Sequence, residues 1–196
     1  RQRQMCIRDS YQSAVITEAS KTIKLENSET KAYTTGGRGI EALFTEWIIK
    51  SLKKGGEANI ILPDGIFTNI ANDKLKKLIL DSCYIESIIS LPVGTFFNTP
   101  KKTFILTVHK KNDNELNIAQ PYPIFTYLCS TIGETMDSYR FDIEGNDLRD
   151  AVDLYTLYKT NKTHSVILNA VNENPRAKLI PITVSYTHLR AHETRR

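Results

Sequence analysis

No apolar run in the 196 residues approaches the length that a membrane-spanning helix needs. Cysteine is scarce as well, with Cys6, Cys83 and Cys129 the whole supply. None has a partner at metal-ligand spacing, which excludes a zinc module and a disulfide framework. Cys6 falls in a terminal segment set aside below, and the two scattered thiols that remain suit a reducing cytoplasm. His109 and His164 each stand alone, without Cys or an acidic residue at ligand spacing, so no metal is expected. A phosphate loop is missing too. Thr34-Thr35-Gly36-Gly37-Arg38-Gly39 holds three glycines in four positions, yet has neither the spacing nor the Lys-Ser/Thr of that motif. It reads as a flexible entry to a helix. Internal repeats are absent.

Net charge is a further absence once the ends are considered. Met5-Cys6-Ile7-Arg8-Asp9-Ser10 can be encoded by ATG TGT ATA AGA GAC AG, and Val184-Ser185-Tyr186-Thr187-His188-Leu189 by GTC TCT TAT ACA CAT CT. These strings are reverse complements over nearly their whole length. One short DNA element read in opposite senses accounts for both peptides, and Arg190-Ala191-His192-Glu193-Thr194 continues the pattern. Residues 1–10 and 183–196 are therefore expected to be sequencing-adaptor scars and are excluded from the reading of the fold. The open reading frame is then expected to be cut on both sides. Of 26 basic and 22 acidic residues, six Arg and two acids (Asp9, Glu193) lie in those ends, which leaves 20 of each sign. The formal charge of +4 thus gives no support to nucleic-acid binding.

What remains is patterned. Residues 11–36 are polar and read as a surface loop. Ile40, Leu43, Phe44, Trp47, Ile48 and Leu52 recur at helical intervals and read as one buried stripe. Lys50, Lys53 and Lys54 suit the end of that helix, and Gly55-Gly56 stops it. Ala58–Leu62 is a short apolar strand, followed by the sharp turn Pro63-Asp64-Gly65. Ligands of open α/β sheets collect at such strand ends. Asp64 has two readings there, ordering a pocket or capping the turn. Asn72 is placed to cap a second helix, carried by Leu75, Leu78 and Ile79.

Tyr84–Leu91 reads as a buried strand, broken by Pro92 and Gly94. The pair Phe96-Phe97 follows, then Asn98-Thr99-Pro100, Lys101-Lys102 and another strand over Thr103–Val108, so the two strands form a wide hairpin. Phenylalanine gains most by burial, so two of them at a loop tip suggest a flat ligand. The first two strands suit a right-handed parallel crossover, and the third is then antiparallel. Residues 121–182 look like an extension and not more of the same sheet. Ile124–Leu128 is a strand, 133–146 is irregular, and Asn146 or Asp147 caps a helix holding Leu148, Ala151, Val152, Tyr155 and Tyr158. The carboxylates Asp147–Asp153 read as a solvated helix face, and Asn172–Pro175 as a turn.

The combination of Lys53-Lys54-Gly55-Gly56-Glu57-Ala58-Asn59-Ile60-Ile61-Leu62-Pro63-Asp64-Gly65 with Ser90-Leu91-Pro92-Val93-Gly94-Thr95-Phe96-Phe97-Asn98-Thr99-Pro100-Lys101-Lys102-Thr103 resembles one family. These stretches look like the C-terminal half of the catalytic domain of adenine-specific (N-6) DNA methyltransferases, in particular the modification subunits of type I restriction–modification systems and their fused relatives. The likeness covers roughly residues 32–111 and more weakly 123–159. It implies an α/β fold: part of a Rossmann-like class I methyltransferase sheet, its fifth to seventh strands with flanking helices, plus a small α+β extension. The implied organisation is catalytic-domain half over 11–111 and an extension toward a specificity or helical region over 112–182.

The chemistry so implied is methyl transfer from S-adenosylmethionine to the exocyclic amine of adenine in double-stranded DNA. Specificity and restriction subunits, or fused equivalents, are the implied partners. The target base is flipped out and held by stacking. Phe97 matches the stacking position between the sixth and seventh strands; the alternative is that Phe97 packs under the loop while Phe96 is exposed, or that both rings are core. Phe44 matches a position that lies against the cofactor's adenine in relatives, against the alternative of a core aromatic. Lys101 and Lys102 are candidates for DNA-backbone contacts, or lysines gating a strand end. The chain departs from the family in one respect. It contains no Asn/Asp-Pro-Pro-aromatic motif, and Gln120-Pro121-Tyr122-Pro123 is only a superficial mimic. Nor is there a glycine-rich cofactor strand. Catalytic residues are thus expected to be absent, and the chain on its own inactive. Two other readings stay open: a class I methyltransferase acting on RNA or protein, and a non-enzymatic α/β interaction module anchored by Phe96 and Phe97.

Overall fold

The strands expected at Ala58–Leu62, Tyr84–Leu91 and Thr103–Val108 all form, as three neighbours at one side of a single sheet. The computed structural model describes residues 22–25, 28–31, 33–37, 39–96, 101–116 and 118–182. In chain order the elements are β1 (Thr22–Leu25), β2 (Ser28–Lys31), α1 (Ile40–Ser51), β3 (Glu57–Pro63), α2 (Gly65–Thr68), α3 (Asp73–Ser82), β4 (Cys83–Ser90) and β5 (Thr103–Lys110). They continue with β6 (Ile124–Leu128), β7 (Ile132–Glu134), β8 (Asp142–Asn146), α4 (Asp147–Thr160), α5 (Ser165–Glu173) and β9 (Ala177–Ile180). The five-stranded sheet has the order β3-β5-β4-β6-β9. β5 is antiparallel to both β3 and β4, so those two run parallel with the later strand inserted between them. This agrees with the strand directions read from the sequence.

Three expectations are corrected. Residues 22–31 are not simply a loop: β1 and β2 pair antiparallel. The segment 121–182 does continue the sheet, since β6 pairs parallel with β4 and β9 antiparallel with β6. Residues 133–146 are also more ordered than read, because β7 and β8 form a small hairpin. Charged and glycine-containing strands of three to five residues carry too little apolar alternation to be seen.

Two cores lie against the sheet. Ala42, Ile49, Ile60, Leu62, Leu75, Ile79, Ile85, Leu106, Val108 and Ile124 form the one that α1 and α3 cover. Ile89, Phe125, Tyr127, Ala151, Tyr158, Val171 and Ala177 form the other, beneath α4 and α5. Strand alternation assigns the faces: Leu106 and Val108 point to the first core, and Ile105 packs on the second. β4 would lose this alternation without its bulge, where the register slips between Ile85 and Ser87. The extra residue lets Ile85 and Ile88 both join the first core, three positions apart, while Ile89 joins the second.

The bulge also buries a carboxylate. Glu86, 2% exposed, accepts from Tyr122 Oη at 2.6 Å and is ion-paired with Lys162. Lys162 Nζ also lies 4.2 Å from the centre of the Tyr122 ring. Burial first, then the hydrogen bond to Glu86, pushes the Tyr122 hydroxyl far above its ordinary range. Next to it, Ser87 Oγ donates to Thr107 Oγ1 and Thr107 Oγ1 to Asn59 Oδ1, at 2.8 and 2.7 Å, linking β4, β5 and β3 by hydroxyls. Cys83 and Cys129 are buried free thiols, and burial pushes both up to about 11, which leaves them unreactive at neutral pH.

Candidate functional site

Because β3 and β4 are parallel and β5 starts where β4 ends, three connections share one sheet edge. They are the turn after Pro63, the β4–β5 connection and the segment after β6. Hydrogen bonds tie them together there: Asp64 N to Lys102 O at 3.0 Å, Leu91 N to Thr103 O at 3.0 Å, and Cys129 N to Ser90 O at 2.9 Å. Open α/β sheets bind ligands at this edge. A cavity of about 600 Å³ opens beside it, lined by Gly39, Glu41, Asp64, Asn69, Lys101 and Lys102 among others. Its rim therefore carries two carboxylates and two ammonium groups.

Each wall has a local cause. Asp64 stands at the start of α2, but its carboxylate makes no capping hydrogen bond to the helix backbone, so the turn-cap reading is corrected. Asp64 lines the cavity, and its Oδ2 lies 3.5 Å from Thr68 Oγ1. Asn72 precedes α3, yet its side chain gives no cap bond there. It is 1% exposed and donates to Gly65 O at 3.0 Å, fixing the turn from below. Asn69 takes the capping role one turn earlier, accepting from Ala71 N at 2.9 Å.

The glycine-rich segment is held by a residue that the sequence reading passed over. Glu46 is fully buried, and its carboxylate accepts from the backbone N–H groups of Thr34 and Thr35 at 2.7 and 3.2 Å. It also accepts from both threonine hydroxyls and pairs with Lys50 at 2.6 Å. Burial pushes its pKa up. Lys50, the Thr35 hydroxyl and the two backbone N–H groups outweigh that and hold it at about 2. Gly37 completes the arrangement, since a Cβ there would sit 2.7 Å from that of Ala42.

The consequence is a pH-dependent anchor. A carboxyl depressed from 4.5 to about 2 stabilises the fold above its ordinary value and loses that contribution as pH falls toward 2. By linkage the whole effect is about 3 kcal/mol. Glu46→Gln is expected to lower urea stability by about 2 kcal/mol at pH 7 and by much less near pH 2.5. An equal loss at both pH values would contradict the anchor.

The predicted site residues fall as follows. Phe44 is 56% exposed and Trp47 54% exposed, so the buried stripe is corrected at those two positions, while Leu43 is buried and Ile48 and Leu52 pack on the first core. α1 also buries Ala42, Thr45, Glu46 and Ile49. Phe44 lies one helical turn beyond Glu41, a cavity residue. Lys101 and Lys102 are exposed and line the same cavity. Lys102 Nζ also lies 5.6 Å from the centre of the Phe104 ring. Phe97 lies outside the described residues. Phe96 is described and is 38% exposed, so it is not sealed in the core. Asp147 is not a solvated carboxylate: it accepts from Ser130 N and Thr131 N at 2.7 and 3.0 Å and pairs with Arg176. Burial raises its pKa, but these partners hold it below the usual range. Among the described residues no three His, Cys, Asp or Glu side chains converge as metal ligands, and no helix is long and apolar enough to cross a membrane.

Known proteins give the context for this edge. The family model for N-6 DNA methylase matches residues 16–186. The methylase subunit of the type I restriction enzyme EcoKI from Escherichia coli K12 is 31% identical over 64 residues, covering 32% of this chain and 12% of that protein. The EcoEI methylase subunit from Escherichia coli is 40% identical over 55 residues, 28% of this chain and 11% of that protein. The chain thus spans about an eighth of the length of these curated relatives. A solved structure concerned with complex assembly and conformational transition of the type I R-M system superposes with a TM-score of 0.57 at 18% identity, over 86% of this chain and 34% of that one. That likeness bears on the fold, which is of the Rossmann-like class I methyltransferase type. With the family model matched over most of its length, the chain belongs to the N-6 DNA methylase family.

Proposed function

We propose that this chain is part of a site-specific DNA methyltransferase that transfers a methyl group from S-adenosylmethionine to the exocyclic amine of adenine in a type I restriction–modification system. The observation that supports the reading is one sheet edge holding the cavity, the lysine pair and the start of the β4–β5 connection up to Phe96, in a chain matched to this family over residues 16–186. Double-stranded DNA is the substrate. Specificity and restriction subunits, or fused equivalents, are the partners, and the cytoplasm is the compartment.

In this reading the chain supplies one wall of the active site. Phe44 presents an exposed ring on α1, one turn from the cavity residue Glu41, and so fits a flat cofactor base. S-adenosylmethionine supplies the electrophilic methyl group when bound. Phe97 stacks on the flipped adenine, which every base face permits. Lys101 and Lys102 neutralise phosphates beside it, which fixes register without reading sequence. The groups that accept hydrogen bonds from the amine are not in this chain, which has no Asn/Asp-Pro-Pro-aromatic sequence. Alone, the 196 residues do not methylate DNA.

The test joins the chain to its upstream genomic sequence and partner subunits and measures N6-methyladenine in duplex DNA by mass spectrometry. Methyladenine at one defined site is expected from that assembly, and none from the 196 residues alone. Methyl groups appearing in RNA or protein but not DNA would overturn the reading. Methylation by the isolated chain would overturn the claim that it supplies only a wall.

A further inference from the structure

The start of the β4–β5 connection is held from outside by the β7–β8 hairpin. Residues Pro92–Phe96 turn sharply: Thr95 Oγ1 donates to Pro92 O at 2.7 Å, and Gly94 adopts φ +89°, a region that favours glycine. The carbonyls of Gly94 and Thr95 both accept from one nitrogen of Arg140, its Nη2, at 2.6 and 2.8 Å. The other terminal nitrogen, Nη1, lies 3.4 Å from Thr135 O. One planar guanidinium thus bridges two successive peptide carbonyls of the turn and its own hairpin. It fixes the direction in which the chain leaves at Phe96.

Arg140 is itself held for this task. It has φ +55°, the one positive φ outside glycine among the described residues. A bulky residue keeps such a conformation only where its surroundings over-determine it. Asp137 Oδ1 accepts from Tyr139 N at 2.9 Å, Arg140 N at 3.0 Å and Thr135 Oγ1 at 3.1 Å. Thr135 and Phe141 exchange two more bonds, Thr135 N to Phe141 O at 2.8 Å and Phe141 N to Thr135 Oγ1 at 2.9 Å. The tip does not owe this order to burial, for Tyr139 is 80% and Phe141 63% exposed. What the rigid tip does is aim one cation at two carbonyls of the β4–β5 turn.

We propose that Arg140 is a positioning residue for target-base capture, holding the turn Pro92–Phe96 in the conformation that receives the flipped adenine. This rests on the reading of the β4–β5 connection as the base-stacking loop. Lysine cannot replace it fully, because a single ammonium lacks the planar fork that spans two carbonyls and the hairpin. Arg140 touches neither base nor cofactor in this role and acts through the turn alone.

The test uses the genomic-length protein with its partner subunits and a duplex carrying 2-aminopurine at the target adenine. Arg140→Met and Arg140→Lys are compared with the native protein by amide exchange at Val93–Phe96, by the fluorescence rise on base flipping, and by DNA affinity. Arg140→Met is expected to speed exchange at the turn at least tenfold and to cut the flipping signal about fivefold. DNA affinity should stay within about twofold, and Arg140→Lys should fall between. Unchanged exchange, or faster exchange with normal flipping, would overturn the proposal. Should Arg140→Met fail to fold, native exchange and native flipping in Arg140→Lys would overturn it equally. Phe97→Ala separates the two levels. If it abolishes flipping while Arg140→Met flips normally, only the role of Arg140 falls. If neither variant affects flipping, the base-stacking reading falls and takes this one with it.

Discussion

Replacing Phe97 by alanine in the genomic-length protein is expected to lower single-turnover methylation about 10- to 100-fold, with little change in DNA affinity. The size follows from the ~1–3 kcal/mol that an aromatic face contributes per stacked base. Its placement in the chemical step follows from base flipping: a base that is not held extrahelical returns to the stack before the methyl group can move. The phosphate contacts proposed for Lys101 and Lys102 would be untouched, so affinity for the duplex is expected to persist. Phe97→Tyr or Phe97→Trp, which keep a π face, should restore most of the rate. Phe96→Ala is the control, since it removes the neighbouring ring and leaves the stacking position occupied. A deficit common to Phe96→Ala and Phe97→Ala, and tracking a loss of folded protein, would mark both rings as structural.

The second large effect concerns the fold beneath that edge. Glu86→Leu is expected to destabilise the protein by about 3–5 kcal/mol, read as a lower urea midpoint at unchanged slope. The carboxylate is 2% exposed and is the acceptor of both Tyr122 Oη and Lys162. Removing it strands a largely covered ammonium and a partly buried phenol together. Glu86→Leu combined with Lys162→Met and Tyr122→Phe should recover much of the loss, because an apolar substitute for a whole buried polar set is often tolerated. If Glu86→Leu costs under 1 kcal/mol, the bulge in β4 is not organised by this carboxylate.

Much of the central sheet was legible because its strands are nearly continuous apolar runs. Ile60-Ile61-Leu62, Tyr84–Leu91 and Thr103–Val108 are recognisable by length and by their breakers, and the short link between the last two demands antiparallel pairing. β9 and the β7–β8 hairpin were not, because Ala177–Ile180 and Asp142–Asn146 are short, and the latter is exposed throughout. α1 shows a different failure. Its large residues Phe44 and Trp47 mark a helical period correctly but point outward, and the face that packs carries Ala42, Thr45 and Glu46 beside Leu43 and Ile49. Periodicity locates a helix but cannot say which face is covered when a buried acid finds its own donors. The site was half legible. Lys101 and Lys102 could be named from the motif and line the cavity, Phe97 lies outside the described residues, and the turn around Asp64 suggested a cap as readily as a pocket. Arg140 could not be named, since its partners are backbone carbonyls 45 and 46 residues away and carry no side-chain signature.

The most direct test of a base-receiving loop between β4 and β5 is photocrosslinking from the target position itself. A duplex with 5-iodouracil replacing the target adenine, irradiated in complex with the genomic-length protein and its partners, should attach to the peptide that contains Phe96 and Phe97. Attachment confined to other peptides, with that one recovered unmodified, would contradict the account.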